Sequence, residues 1–82
     1  MSVPLSIEWR IITEGQEKRI NAKENIFQIT FPGYKMFPID APIDIMRHED
    51  SDQIGTAIVN KITFSNNQTI CIYQLVSLYS VN

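Results

Sequence analysis

The residues that build helices are scarce in this chain, which holds three Leu and three Ala against fourteen Ile. Ala and Leu lead the helix scale while β-branched Ile loses side-chain freedom in a helix, so this balance excludes a helical domain and suits pleated strands. Cysteine is scarcer still. The lone Cys71 can close no internal disulfide, and in a strand it reads as a small buried hydrophobe. Charge is missing from the whole end of the chain, since no acidic or basic side chain follows Lys61. That uncharged run is interrupted by Ser, Asn, Gln and Thr, so it lacks the ~20 consecutive apolar residues that cross a bilayer as a helix. An excess of basic residues is also lacking. The net charge of −2 gives no general attraction to nucleic acid or to anionic membrane, and MSVPLSIEWR alternates where a signal peptide would be continuously apolar. The expectation is a cytoplasmic protein without a membrane anchor.

At 82 residues the chain is expected to form one domain, 1–82, near the size at which a single core gives only a few kcal/mol of net stability. Its clearest signal lies in residues 55–79, where two runs rich in β-branched and aromatic residues flank Asn66 and Asn67. Asn tolerates the positive φ of a tight hairpin turn, so this stretch reads as a β-hairpin. In its first arm Ala57 and Val59 hold one parity while Ile62 and Phe64 hold the other, and a β-bulge near Asn60 and Lys61 reconciles them. Without the bulge, Asn60 would face the core and need a partner. The second arm is apolar on both sides, with Thr69, Cys71, Tyr73 and Leu75 on one face and Ile70, Ile72, Val76 and Leu78 on the other. Such a strand is covered on both faces or sits in a subunit contact.

Upstream, Val3, Leu5, Ile7, Trp9 and Ile11 share one parity against Ser6, Glu8 and Arg10, which predicts a half-buried strand with Trp9 as a core anchor. A turn around Gly15 leads to a short strand at Lys18 to Ile20, and NAKEN forms a second turn. Lys18, Arg19 and Lys23 are offset by Glu14, Glu17 and Glu24, so they read as a solvated face. Ile26 to Phe31 is a strand with Phe27, Ile29 and Phe31 inward, ended by Pro32-Gly33. The following PGYKMFPIDAPID carries three of the four prolines, which predicts an extended crossover loop. Ile43 and Ile45 then face inward on a short strand. Together these signals predict an all-β fold: a small, partly open β-barrel or a strongly twisted antiparallel meander of five to six strands.

Two stretches carry side chains capable of chemistry or recognition. Residues 47–52, Arg-His-Glu-Asp-Ser-Asp, could present His48, Glu49, Asp50 and Asp52 to a divalent cation, but the ligands crowd one loop without the spacing of calcium or zinc sites. A solvated loop is the better reading, and no metal, cofactor or catalytic residue is expected. The second stretch is Tyr34, Lys35, Met36 and Phe37, an aromatic and cationic cluster that is either a recognition surface or a plug for one end of the barrel. The closing block GTAIVNKITFSNNQTICIYQLVSLYSVN, together with FPGYKMFPIDAPIDI, resembles short uncharacterised proteins of Gram-positive bacilli grouped as a domain of unknown function. The resemblance implies a bacterial cytoplasmic protein and assigns no functional residue.

Three functions therefore compete. The first is a non-enzymatic binding or assembly module acting through Tyr34, Lys35 and Phe37, or through Val76 and Leu78 of the C-terminal strand, by which the chain would also self-associate. The second is single-strand nucleic-acid binding with Lys35 beside the stacking rings of Tyr34 and Phe37, which the acidic balance disfavours. The third is a small metal-dependent enzyme built on the 48–52 loop, which offers no second cluster to face it. The arrangement of exposed aromatics separates the first two: rings on one basic surface favour nucleic acid, and a flat apolar patch favours a protein partner.

Overall fold

The computed structural model describes residues 5–48, 50 and 53–78, and for Leu78 the backbone alone. They form eight strands and no helix: β1 (Leu5–Ile7), β2 (Arg10–Ile12), β3 (Lys18–Asn21), β4 (Ile26–Pro32), β5 (Tyr34–Met36), β6 (Pro42–Met46), β7 (Gln53–Ser65) and β8 (Gln68–Leu78). Six of them make one sheet in the order β2-β6-β7-β8-β4-β3, and β1 pairs with β5 in a separate two-stranded ribbon.

The β7–β8 hairpin organises the main sheet. Asn66 and Asn67 turn it with φ of 51° and 61°, the paired positive values of the tight hairpin turn that matches strand twist. The register shifts between Val59 and Lys61, so Asn60 is the extra residue and stays exposed. Val59 then opposes Tyr73 and Ile62 opposes Cys71, and the bulge brings Ile62 onto the face of Val59. A second shift, between Thr56 and Ala57, sets Ala57 against Leu75 and Thr56 against Ser77. Val76 is left between them without a ladder partner and is exposed.

One face of the sheet carries the core: Ile11 from β2, Ile29 and Phe31 from β4, Ile43 and Ile45 from β6, Ala57 and Val59 from β7, Cys71 and Tyr73 from β8, joined by Phe37. These are the inward parities expected for β4 and β6, and on β8 the Thr69-Cys71-Tyr73 face is the one that enters the core. Tyr73 is the largest fully buried side chain, stacked on Phe27 at 5.6 Å. Burial pushes the Cys71 thiol up to about 12, which keeps it neutral in its apolar surroundings.

The barrel and the purely antiparallel meander are both corrected by the topology. The main sheet is mixed and open, because β2 pairs in parallel with β6 and makes no ladder with β3 at the opposite edge. The strands number eight rather than five or six because the proline-rich crossover contains β5 between Gly33, at φ 76°, and Pro38, and because the N-terminal strand is divided into β1 and β2. The N-terminal segment runs in the same direction as that crossover and pairs with both ends of it. Its register jumps between them: the step from Ile7 to Arg10 spans the step from Met36 to Asp44. The surplus residues loop inward, which buries Phe37 and bridges Ile39 to Val59.

That jump also corrects the reading of Trp9. The chain leaves the ribbon at Glu8 and Trp9 and enters the main sheet at Arg10, so the parity that is inward at Ile11 is outward before it. Trp9 is 71% exposed, Ile7 63% and Leu5 55%, while Ile11 is fully buried. Trp9 is therefore not a core anchor. Val3 lies outside the described residues.

Candidate functional site: the apolar face of the N-terminal ribbon

The ribbon is held to the body through β5. Gly33 takes the left-handed backbone that lets the chain reverse after β4. Thr69, fully buried on β8, then fixes the next residues: its Oγ1 donates to the Gly33 carbonyl at 2.8 Å and accepts the Lys35 amide at 2.9 Å. The Tyr34 hydroxyl accepts the Asn67 amide at 3.2 Å, and its ring meets Phe64 edge-on at 5.4 Å. Lys35 points inward. Its Nζ lies 3.4 Å from Glu8 Oε1 and 5.5 Å from the Phe31 ring, a half-buried ion pair laid over an aromatic face.

Three of the sequence-derived site residues are thus brought together, but in anchoring roles. Phe37 is 3% exposed and packs on Phe31 at 5.4 Å in the core of the open sheet, so it fills the interior although there is no barrel end to plug. Tyr34, Lys35 and Phe37 form no common stacking surface. Val76 belongs elsewhere, seven residues beyond Thr69 along β8, on the order of 23 Å at strand rise. Leu78 is at the same far end, its side chain outside the described atoms. Of the 48–52 loop only His48 and Asp50 are described, and Glu49, Ser51 and Asp52 lie outside.

With Lys35 and Glu8 turned toward the body, the opposite face of the ribbon is apolar. Ile7 pairs with Met36 in the ladder, and partners in a ladder project to the same side. Leu5, Ile7 and Met36 form one stripe, with the half-buried Tyr34 ring on the same side opposite Leu5, and Trp9 follows it in the same parity at the bend after β1. Leu5, Ile7, Trp9 and Met36 are exposed, Met36 the least at 38%. Sequence reasoning missed this stripe because alternation shows two faces without showing which one is covered. The signal present was Lys35, whose counter-charge is Glu8 on the face opposite Trp9.

A second concavity lies behind the ribbon. It has a volume of about 330 Å³ and is lined by Glu8, Arg10, Glu14, Thr30 and Lys35 over Phe31. Charges of both signs share its rim, and the Glu8–Lys35 contact occupies one of each. Beside it, the buried Thr13 Oγ1 has no hydrogen-bond partner among the described residues.

Comparison with known proteins places the chain in a family defined by sequence alone. A model of a domain of unknown function, DUF2584, matches residues 1–82, and the chain belongs to that family. It is 38% identical to the uncharacterised protein YtmB of Bacillus subtilis (strain 168), over the full length of both chains. The crystal structure of YtmB superposes with a TM-score of 0.91, covering 100% of this chain and 99% of that one. The mixed, open all-β architecture is therefore that of an experimentally determined relative, and the resemblance read from the hairpin and the crossover holds.

Proposed function

We propose that this protein is a non-enzymatic binding module whose contact surface is the apolar face of the β1–β5 ribbon. The observation that carries the reading is the exposure of Leu5, Ile7, Trp9 and Met36 beside a ribbon whose β5 strand is held to the body by backbone hydrogen bonds and whose opposite face carries the Glu8–Lys35 ion pair. Single exposed apolar residues are ordinary, but a contiguous stripe headed by a tryptophan marks a contact site, and Trp is the residue type most enriched where binding energy concentrates. The flat apolar patch is the arrangement that favours a protein partner over nucleic acid.

The C-terminal end of β8 supports a second, lesser contact. β8 is paired on both sides over residues 68–74, by β4 and β7, so its backbone there is occupied. Past Gln74 the β4 ladder ends and Val76 is 54% exposed, which leaves a short uncharged end for self-association. Capture from lysate of the native cell with wild-type, Ile7→Lys and Val76→Lys baits separates the two surfaces. A protein retained by wild type and Val76→Lys but lost by folded Ile7→Lys supports the ribbon. Identical proteins on all three baits would refute it, and loss on Val76→Lys alone would move the contact to β8.

A further inference from the structure

Resting on that reading, we propose that the partner is a second copy of this chain, joined through the outer edge of β1. The Glu8 amide donates to the Met36 carbonyl at 2.8 Å, which fixes the edges of the strand. Successive strand residues turn their backbone groups to opposite edges, so those of Leu5 and Ile7 face away from β5, and Trp9 follows at the bend after the strand. Among the described residues β1 has no other strand neighbour.

The edges of the main sheet are guarded, and this one is not. β3 carries Lys18, Arg19 and a register shift between Arg19 and Asn21, the devices that discourage edge pairing. β2, at the other edge, has three residues and opens with Arg10. The β1 edge carries Leu5, Ile7 and Trp9, and its one carboxylate, Glu8, is already matched by Lys35 of the same copy.

The segment Leu5-Ser6-Ile7-Glu8-Trp9 is also complementary to itself. Antiparallel pairing about Ile7 sets Ile7 against Ile7, Leu5 against Trp9 and Ser6 against Glu8 of the second copy. Every apolar side chain meets an apolar one, and no like charges face each other, whereas pairing about Glu8 would oppose two carboxylates. Ile7, whose backbone groups face outward, then exchanges both hydrogen bonds with Ile7 of the second copy. Two marginal ribbons become one four-stranded sheet, β5-β1-β1-β5, through the symmetric contact most common in homo-oligomers. Edge pairing leaves the faces of the new sheet open and does not reach Met36 on β5, so the contact is the backbone edge with its cross-strand side-chain pairs, well short of the about 800 Å² per partner of a standard stable interface. The expected dimer is therefore reversible on dilution.

Trp9 is the only tryptophan and reports the contact without mutation. Light scattering of the wild-type chain should give twice the chain mass at high concentration and one chain mass on dilution. Trp9 emission should move to longer wavelength over the same range. Ile7→Lys, with an unchanged circular dichroism spectrum, should be monomeric throughout, and Val76→Lys should remain dimeric. A wild-type monomer with long-wavelength emission at every concentration overturns self-pairing. So does a dimer that survives in folded Ile7→Lys or is lost in folded Val76→Lys. If Ile7→Lys does not fold, the wild-type dilution series alone decides. A monomeric wild type that still retains a different protein through Ile7 in the capture experiment refutes self-pairing and leaves the binding reading standing. One that retains nothing sinks both.

Discussion

Replacing Thr69 by Val tests whether one buried hydroxyl holds the ribbon to the sheet. The two side chains are nearly isosteric, and Thr69 is fully buried, so shape is kept while the hydroxyl is lost. Two hydrogen bonds go with it, the one accepted from the Lys35 amide at 2.9 Å and the one donated to the Gly33 carbonyl at 2.8 Å. Each is worth about 1 kcal/mol net. Gly33 is exposed and its carbonyl can turn to water, but the Lys35 amide is half-buried, and leaving it unsatisfied adds to the cost. The extra methyl of Val recovers about 0.8 kcal/mol at most. The net destabilisation is therefore about 2 kcal/mol, which at about 1 kcal/mol per molar urea lowers the unfolding midpoint by about 2 M. Thr69→Ser separates the mechanisms, because it keeps both bonds and loses only a methyl. The Lys35 amide should exchange with solvent faster in Thr69→Val than in Thr69→Ser, since the Thr69 hydroxyl is its acceptor among the described residues. A Thr69→Val chain as stable as wild type and more stable than Thr69→Ser would refute the reasoning and make packing, rather than hydrogen bonding, the role of this residue.

Three further outcomes follow from the same geometry. Trp9→Ala should cost less than about 1 kcal/mol of chain stability in the monomer, because the ring is 71% exposed; a loss on the scale of about 3 kcal/mol in urea unfolding at high dilution would return Trp9 to the core. Asn67→Gly should raise stability by about 0.5 kcal/mol, read as a higher urea midpoint, because φ of 61° is less costly for Gly than for Asn; an unchanged or lower midpoint would show that the turn is held by its contacts. The Cys71 thiol is raised in the fold to about 12 by burial, so the folded state holds a proton that the unfolded chain releases. Stability from this group is therefore complete below the ordinary thiol range of about 8.5 and is lost as pH climbs toward the folded value. Tyr73, raised by burial and then by Glu17 and Cys71, acts in the same sense at higher pH. Denaturation at pH of about 7 and about 10 should show the fall, and Cys71→Ala should reduce it.

How much of this was legible in the sequence depended on whether the deciding partner was local. The hairpin was legible because its two signals, Asn66-Asn67 and the clash of parities across Asn60, are local, and both recur in the fold as positive φ and a register shift. The inward faces of β4 and β6 were legible for the same reason, since a strand inside a sheet with one covered face has alternation and burial in step, whereas β8 is apolar on both faces and its alternation does not choose between them. The openness of the sheet was not, because it follows from two parallel pairings between the N-terminal segment and the crossover, and no turn residue announces a parallel partner. The site failed at the same point. Alternation from Leu5 to Ile11 gives two faces, but which face is covered is decided by the register jump between Met36 and Asp44, thirty residues away on the order of magnitude that separates parallel partners. That jump turns Trp9 out and Glu8 in. Once Glu8 is inward, Lys35 must follow to meet it, and Phe37 fills the space that the looped crossover opens beside Phe31. The aromatic and cationic cluster therefore marks the right place on the molecule while its own residues serve as anchors. The surface it supports belongs to the strand beside it.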